Sequence, residues 1–107
     1  MNNQKEKKMI EELGGICEEA KKLITKDRHD VYGDPKYDFQ RTVDLFRIVS
    51  GHTLTAAEGA LFMMCVKLSR ETAVHSQDNL IDLCGYADIL NYILRSNPSV
   101  LYTGNIK

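Results

Sequence analysis

The amino-acid sequence predicts an all-α fold in the form of a four-helix bundle. Apolar residues recur at steps of three and four along much of the chain, which is the spacing of one helix face. No stretch alternates apolar and polar residues for long enough to indicate a strand. The connections between the helical stretches are mostly short, as they are in bundles. A chain of 107 residues suits one domain, so we assign residues 1–95 to a single bundle and residues 96–107 to a C-terminal tail, a candidate oligomerisation arm.

The first predicted helix covers about residues 8–27 and carries one apolar stripe, from Ile10 to Ile24. Gly14 and Gly15 interrupt this helix, and each glycine costs about 1 kcal/mol relative to alanine. We therefore expect the helix to bend at this point.

The second predicted helix runs from about residue 35 to residue 49. Proline at position 35 suits the first turn of a helix, and Asp34 before it can cap the free backbone amides. The residues predicted to face the core are Phe39, Val43, Phe46 and Val49.

The third predicted helix begins with a capping box and ends near Val74. In this box the Thr55 hydroxyl and the Glu58 carboxylate satisfy backbone amides reciprocally. The run from Leu61 to Val66 is apolar on every side, so we expect this helix to be the most enclosed of the four. Because so short a chain has little mass to cover that helix, we expect at least a homodimer.

The fourth predicted helix is capped by Ser76 or Asp78 and ends near Arg95. Asn97-Pro98 follows and prevents the helix from continuing. The residues predicted to face inward are Ile81, Cys84, Ala87 or Ile89, Leu90, Ile93 and Leu94.

Charge and hydropathy argue against several classes of protein. Fourteen Lys and Arg against fifteen Asp and Glu leave a net charge of -1, unlike a duplex nucleic-acid binder that works by bulk charge. The longest apolar run, residues 59–66, is far shorter than the ~20 residues of a transmembrane helix. The N-terminus lacks the apolar segment of a secretory signal. We therefore expect a cytoplasmic protein with no membrane partner.

The three cysteines, Cys17, Cys65 and Cys84, are far apart in the sequence and include no CxxC pair. In apolar surroundings a free cysteine behaves as a small hydrophobic residue. We therefore expect three buried, reduced thiols rather than a disulfide or a zinc site.

Two aspartates on the fourth helix are candidates for binding chemistry. Asp78 and Asp82 are four residues apart, so they lie on one helix face, and Asn79 is beside them. Two carboxylates at this spacing can hold Mg²⁺ and, through it, a phosphate. The alternative for Asp78 is an acid in the first helical turn, where the helix dipole favours it.

Two cations near the end of the third helix are candidates for binding phosphate. Lys67 and Arg70 are one turn apart, and the arginine offers a bidentate fork. The alternative is a structural ion pair between one of them and Asp82 on the neighbouring helix.

The loop after the first helix and the middle of the fourth helix offer further ligand-binding candidates. Arg28 can take a phosphate, while Tyr32 and Gly33 combine a flat ring with a flexible backbone that suits close approach to a base. Tyr86 follows Asp82 by four residues and either stacks on the ligand or belongs to the core.

Three segments, at residues 28–33, 66–70 and 78–87, together resemble a family of small all-helical proteins common in phages and prophages. They read Arg-His-Asp-Val-Tyr-Gly, Val-Lys-Leu-Ser-Arg and Asp-Asn-Leu-Ile-Asp-Leu-Cys-Gly-Tyr-Ala, and the resemblance covers about residues 28–94. More distantly, the chain is similar to the MazG-like all-α nucleoside triphosphate pyrophosphohydrolases. Those proteins are helical bundles, usually dimers or tetramers, which hold magnesium with an ExxE on one helix and an ExxD on another.

The sequence departs from that magnesium motif, since it contains neither ExxE nor ExxD, and its nearest approach is Asn79-Leu-Ile-Asp82. Without half of the metal cage, attack by a metal-bound water loses much of its charge stabilisation. We therefore expect a nucleotide binder with no catalytic residue, no cofactor and no metal. The resemblance implies sequestration of a host immune nucleotide signal, such as a cyclic oligonucleotide or an ADP-ribose derivative, in a bacterial cytoplasm.

Two alternatives from other functional classes stay open. One is a magnesium-dependent nucleoside triphosphate pyrophosphohydrolase with Asp78 and Asp82 as metal ligands. The other is a protein-interaction module, favoured by the apolar third helix and by the tail.

Overall fold

The computed structural model describes residues 3–96, apart from the side chains of residues 27–29. The described backbone is helical between short connections and contains no strand, which confirms the predicted all-α class. The elements are α1 (Asn3–Leu13), α2 (Ile16–Lys22), a π-helical segment (Leu23–Arg28), α3 (His29–Tyr32), α4 (Pro35–Ser50), α5 (Ala56–Ala73) and α6 (Gln77–Ser96). Of the predicted tail at residues 96–107, Ser96 is the last residue of α6, and the rest lies outside the described residues.

The predicted first helix is broken at its two glycines. Gly14 and Gly15 have φ angles of 86° and 65°, a left-handed conformation that glycine adopts without steric cost. The helix N-terminal to this junction, α1, buries no residue, and Ile10 and Leu13 are exposed. The left-handed glycines interrupt the helix where a bend was expected, and the part of the predicted apolar stripe that lies on α1 is exposed rather than buried.

The helices α5 and α6 form an antiparallel hairpin at the centre of the molecule, and α2 and α4 pack against it. The predicted capping box begins α5, since the Glu58 amide donates to Thr55 Oγ1 at 3.1 Å and the Thr55 amide donates to Glu58 Oε1 at 2.8 Å. Ser76 caps α6, as its hydroxyl accepts from the Asp78 amide at 3.3 Å.

Small residues at the start of α5 let its neighbours approach closely. Ala57 and Ala60 are almost fully buried, and a Cβ added at Gly59 would lie only 3.0 Å from Val43 of α4. The core contains Phe39, Ala56, Ala57, Ala60, Tyr86, Ile89 and Ile93.

Some predicted core positions are exposed. On α4, Phe39 and Val43 are buried, whereas Phe46 and Val49 are 41% and 85% exposed. Val49 follows Phe39 by ten residues, so at about 100° per residue it lies roughly 80° round the helix from it. On α6, where either Ala87 or Ile89 was predicted to face inward, Ile89 is the buried residue.

The prediction that α5 is the most enclosed helix holds for its first turns only. Phe62 and Leu68 are 62% and 51% exposed in the single chain.

The prediction of three buried, reduced thiols is wrong. Cys17 of α2 and Cys84 of α6 form a disulfide, with their Cα atoms 5.2 Å apart, and Cys65 is a free, exposed thiol. The pairing depends on the packing of α2 against α6, which brings together residues separated by 67 positions in the chain.

Among residues 3–96, no helix combines the length and the apolar character needed to cross a bilayer.

Candidate functional site

A cavity of about 290 Å³ lies between α6 and the segment running from α2 to α3. Three of the predicted ligand-binding residues, Tyr32, Asp82 and Tyr86, line it. We call it the tyrosine cavity, and its remaining walls are apolar or glycine. They are Ala20, Leu23, Ile24, Ile81, Gly85 and Ile89.

The two tyrosines occupy different environments. Tyr86 is 7% exposed and meets the Phe39 ring edge to face, with the ring centroids 6.2 Å apart, so it belongs to the core and contributes one wall of the cavity. Tyr32, at the end of α3, is 52% exposed, and its backbone oxygen accepts from Arg41 at 3.3 Å. The Tyr32 ring is therefore the more accessible surface for a planar ligand.

Asp82 is paired with Lys67, the ion pair that the sequence offered as an alternative to phosphate binding. The Lys67 Nζ atom lies 2.8 Å from Asp82 Oδ2, and the lysine side chain is 13% exposed against 39% for the aspartate. The pair joins α5 to α6 beside the tyrosine cavity, and it leaves Asp82 as the more accessible partner.

The structure does not bring the other predicted residues to this cavity. Arg70 and Asp78 are exposed, and neither lines the tyrosine cavity. Asp78 lies in the first turn of α6, the position that the sequence offered as an alternative to metal binding. Gly33 has a φ of 76° and makes the left-handed turn before α4. The Arg28 side chain is outside the described part of the chain.

A second cavity of about 400 Å³ adjoins the first, because Ile24 and Ile89 line both. We call it the lysine cavity, after Lys21 of α2. Its other residues come from the π-helical segment, the start of α4 and the second half of α6. They are Thr25, Asp34, Pro35, Asp88 and Tyr92.

One side of the lysine cavity is held in place by hydrogen bonds. The Tyr92 hydroxyl donates to Asp34 Oδ2 at 2.8 Å, and Asp34 Oδ1 accepts from the Lys36 amide at 2.9 Å. The hydrogen bond to Asp34, together with burial, raises the pKa of Tyr92 above its usual value. The tyrosine therefore keeps its proton and donates the hydrogen bond to the Asp34 carboxylate.

Sequence reasoning missed the lysine cavity. It identified Asp34 only as a helix cap and did not consider Lys21, Asp88 or Tyr92. Asp88 and Tyr92 are four residues apart and therefore lie on one face of α6, so their spacing could have indicated a shared polar site. Their position opposite Lys21 depends on long-range packing, which no local pattern indicates.

A third polar cluster closes the turn between α5 and α6. Glu71 Oε1 accepts from the Ser76 amide at 3.0 Å and from the Asn79 side chain at 3.2 Å, while Glu71 Oε2 contacts His75 Nδ1. The Ser76 amide, followed by His75, lowers the pKa of Glu71 from 4.5 to about 2. Asn79, which was predicted to join Asp78 and Asp82, donates from its side chain to Glu71 instead.

Among the side chains that the structure describes, which exclude residues 27–29, no three from His, Cys, Asp or Glu come close enough together to hold a metal ion. Asp78 and Asp82 in particular do not form such a group with a third ligand.

No curated protein and no solved structure matches the chain significantly. One family model does match it, that of a domain of unknown function named DUF6378, over residues 15–94. The matched region starts at the second glycine of the α1–α2 junction, includes both cavities and spans well over half of the chain. The chain therefore belongs to the DUF6378 family.

Proposed function

We propose that the protein binds a nucleotide in the tyrosine cavity and releases it chemically unchanged. One observation carries the proposal: Tyr32, Asp82 and Tyr86, which the sequence singled out separately, line a single cavity. We also propose that the fold is a MazG-like four-helix bundle and that the protein is of phage type and cytoplasmic. Its role would be to sequester a nucleotide signal.

The chemistry of the cavity suits the base and sugar of a nucleotide. Apolar walls from α2 and α6 favour burial of a planar ring, and an aromatic side chain stacks on any base because every base has a π-face. The half-exposed Tyr32 ring provides that surface at the cavity wall. The Asp82 carboxylate can accept a hydrogen bond from a base amino group or a ribose hydroxyl.

The geometry favours binding over hydrolysis. Metal-assisted attack on a phosphate needs carboxylates gathered around the ion. The described part of the chain offers no such group, and the Asp82 carboxylate is engaged by Lys67. The pyrophosphohydrolase alternative therefore has no specific observation in its favour.

Self-association is a second proposed property, supported by the exposed apolar face of α4. Leu45 and Ile48 are 62% and 75% exposed and lie one helical turn apart. Phe62 of α5 adds a large exposed ring. A second copy of the chain would remove such side chains from water, so a homo-oligomer is compatible with nucleotide binding.

The test is to incubate the protein with a panel of nucleotides, measure binding, and analyse the ligand recovered after heat release. Intact ligand supports sequestration, while release of pyrophosphate that EDTA prevents would establish the hydrolase instead. Failure of every nucleotide to bind would overturn the proposal and favour an interaction module.

Two tyrosine variants show whether binding occurs in the tyrosine cavity. Tyr32→Ala should weaken nucleotide binding about 10-fold or more, because stacking on an aromatic ring contributes roughly 1–3 kcal/mol per base. Tyr37→Ala is the matched control, since Tyr37 is similarly exposed but lines neither of the two cavities. Equal affinities of the two variants would place the ligand elsewhere.

A further inference from the structure

We propose that the disulfide between Cys17 and Cys84 is a redox switch for the tyrosine cavity, so that the oxidised protein binds its ligand tightly and the reduced protein binds it weakly. This inference rests on the proposed function and concerns the regulation of that same site. Two observations carry it: the disulfide lies beside the tyrosine cavity, and the short helix that it secures has little other packing.

The disulfide joins the two walls of the tyrosine cavity. On α2, Cys17 lies one helical turn before Ala20. On α6, Cys84 lies one turn after Ile81 and directly before Gly85. Ala20, Ile81 and Gly85 all line the cavity. The Cα atoms of the two cysteines are 5.2 Å apart, so the cross-link fixes the separation of the two walls beside the cavity.

Without the disulfide, little holds α2 in place. Of its seven residues, all within the described part of the chain, Ala20 is the buried one. The apolar packing beside the disulfide is that of Ala20 and Ile24 over Gly85, which presents no side chain to them. The left-handed Gly15 precedes α2 and a π-helical segment follows it, and isolated helices of fewer than about 12–15 residues are marginal in water. The docking of α2 on α6 therefore depends strongly on the disulfide.

Reduction of the disulfide loosens one wall of the cavity and leaves the other wall in place. Leu23, Ile24 and Tyr32 line the cavity and belong to the segment that continues from α2 to the end of α3. The opposite wall belongs to α6, which packs along α5 through contacts that do not involve the disulfide. A ligand that binds the reduced protein must order the loosened wall, and this ordering lowers its affinity. In the oxidised protein that wall is already in position.

The disulfide is accessible to a thiol reductant at Cys17, which is exposed, while Cys84 is half-buried. A thiolate of a dithiol attacks Cys17 Sγ, forms a mixed disulfide and releases Cys84 as a thiolate that takes up a proton. The second thiol then attacks the reductant sulfur of the mixed disulfide and releases Cys17 as a thiol. The reductant becomes a cyclic disulfide, and two electrons and two protons pass to the protein. In the proposed cytoplasmic location, disulfides are typically transient and redox-sensing.

The experiment measures binding with and without dithiothreitol. Equilibrium dialysis gives the affinities of the ribonucleosides and their monophosphates for the wild type, for Cys65→Ser and for the Cys17→Ser, Cys84→Ser double variant. Cys65→Ser is the matched control, because it removes a cysteine and keeps the disulfide. Reduction should weaken binding by roughly 10-fold or more in the wild type and in Cys65→Ser, since several side chains must then be ordered on binding. The double variant should bind as weakly as the reduced wild type and should not respond to dithiothreitol.

Two further measurements follow the disulfide and α2 directly. A thiol reagent in urea should titrate one thiol, that of Cys65, before reduction and all three cysteines afterwards. Deuterium exchange followed by mass spectrometry should become faster in α2 on reduction and stay unchanged in α5. Circular dichroism should keep its helical signal throughout.

The outcomes separate the switch from the proposed function. Equal affinities of the oxidised and reduced wild type for a bound probe would overturn the switch and leave nucleotide binding intact. Loss of the helical signal on reduction, or three titratable thiols in protein kept without reductant, would overturn it as well. If no nucleoside and no monophosphate binds the oxidised protein, the proposed function fails. Faster exchange in α2 on reduction would then still support redox control of this helix, whereas unchanged exchange would overturn it.

Discussion

Lys67 and Asp82 form an ion pair at 2.8 Å that links α5 to α6, and the Lys67 side chain is the less exposed of the two. Removal of the carboxylate would leave a largely buried cation without compensation. We expect Asp82→Ala to lower the free energy of unfolding by about 1–3 kcal/mol. Urea unfolding followed by circular dichroism measures this change.

Asp78→Ala is the control for that prediction, since Asp78 is exposed in the first turn of the same helix. Its loss should cost about 0.3–1 kcal/mol through the helix dipole alone. Equal losses in the two variants would show that the ion pair contributes little to stability.

Glu71 makes the stability of the α5–α6 turn dependent on pH. Its pKa is about 2 in the folded protein against 4.5 ordinarily, so the fold favours the carboxylate form. This contribution is complete above pH 4.5 and is lost as the pH falls towards 2. Across that interval the wild type should lose more stability than Glu71→Gln, as measured by thermal unfolding at a series of pH values. Parallel pH profiles for the two proteins would contradict the prediction.

The disulfide ties two helices that the chain separates widely. Cys17 and Cys84 are 67 positions apart, and a cross-link of this kind typically contributes 2–4 kcal/mol by restricting the unfolded chain. We expect the Cys17→Ser, Cys84→Ser double variant to lose about that much free energy of unfolding.

The free thiol offers a control for the disulfide. Cys65→Ser should leave stability almost unchanged, because Cys65 is exposed and unpaired with either cysteine. Reductant should destabilise the wild type but not the double variant. An unchanged wild type in reductant would show that the cross-link does not stabilise the protein.

At the level of whole helices, local signals predicted the bounds of α4, α5 and α6 to within one or two residues. Proline after an aspartate begins α4, a capping box begins α5, and a serine cap begins α6. These signals act within four residues, so they can be identified without knowledge of the fold. The pairing of α2 with α6 is different in kind, because it depends on contacts between distant residues.

In the candidate site, too, some residues can be identified from local sequence and others only from long-range packing. Tyr32, Asp82 and Tyr86 carry ring and carboxylate chemistry that stands out in the sequence, and they meet at one cavity. Lys21 and Asp88 look like ordinary surface charges on amphipathic helices. Only the packing of α2 against α6 shows that they line one cavity.

The proposed self-association depends on the apolar side chains of α4 that are exposed in the single chain. Ile48 is 75% exposed at the centre of that face, with Leu45 one turn away. We expect light scattering at micromolar concentration to give a mass at least twice the 12.2 kDa of the chain. Ile48→Glu should shift the population towards the monomer, because a charge in the interface is costly to bury.

An exposed polar position on the same helix provides the control for self-association. Gln40→Glu introduces the same charge on α4, at a residue that already bonds to Asp44 rather than to apolar neighbours. It should leave the mass unchanged. A wild type that scatters as a monomer would refute self-association.

The left-handed junction at Gly14 and Gly15 makes α1 a separate unit of local opening. Since α1 buries no residue, its unfolding exposes little additional apolar surface and need not disturb the α5–α6 hairpin. Its amide hydrogens should exchange with solvent deuterium much faster than those of α5, and limited proteolysis should cut near the two glycines first. Mass spectrometry can follow both processes. The trimmed chain should keep its cooperative unfolding transition. Equal exchange rates in α1 and α5 would contradict the separate opening of α1.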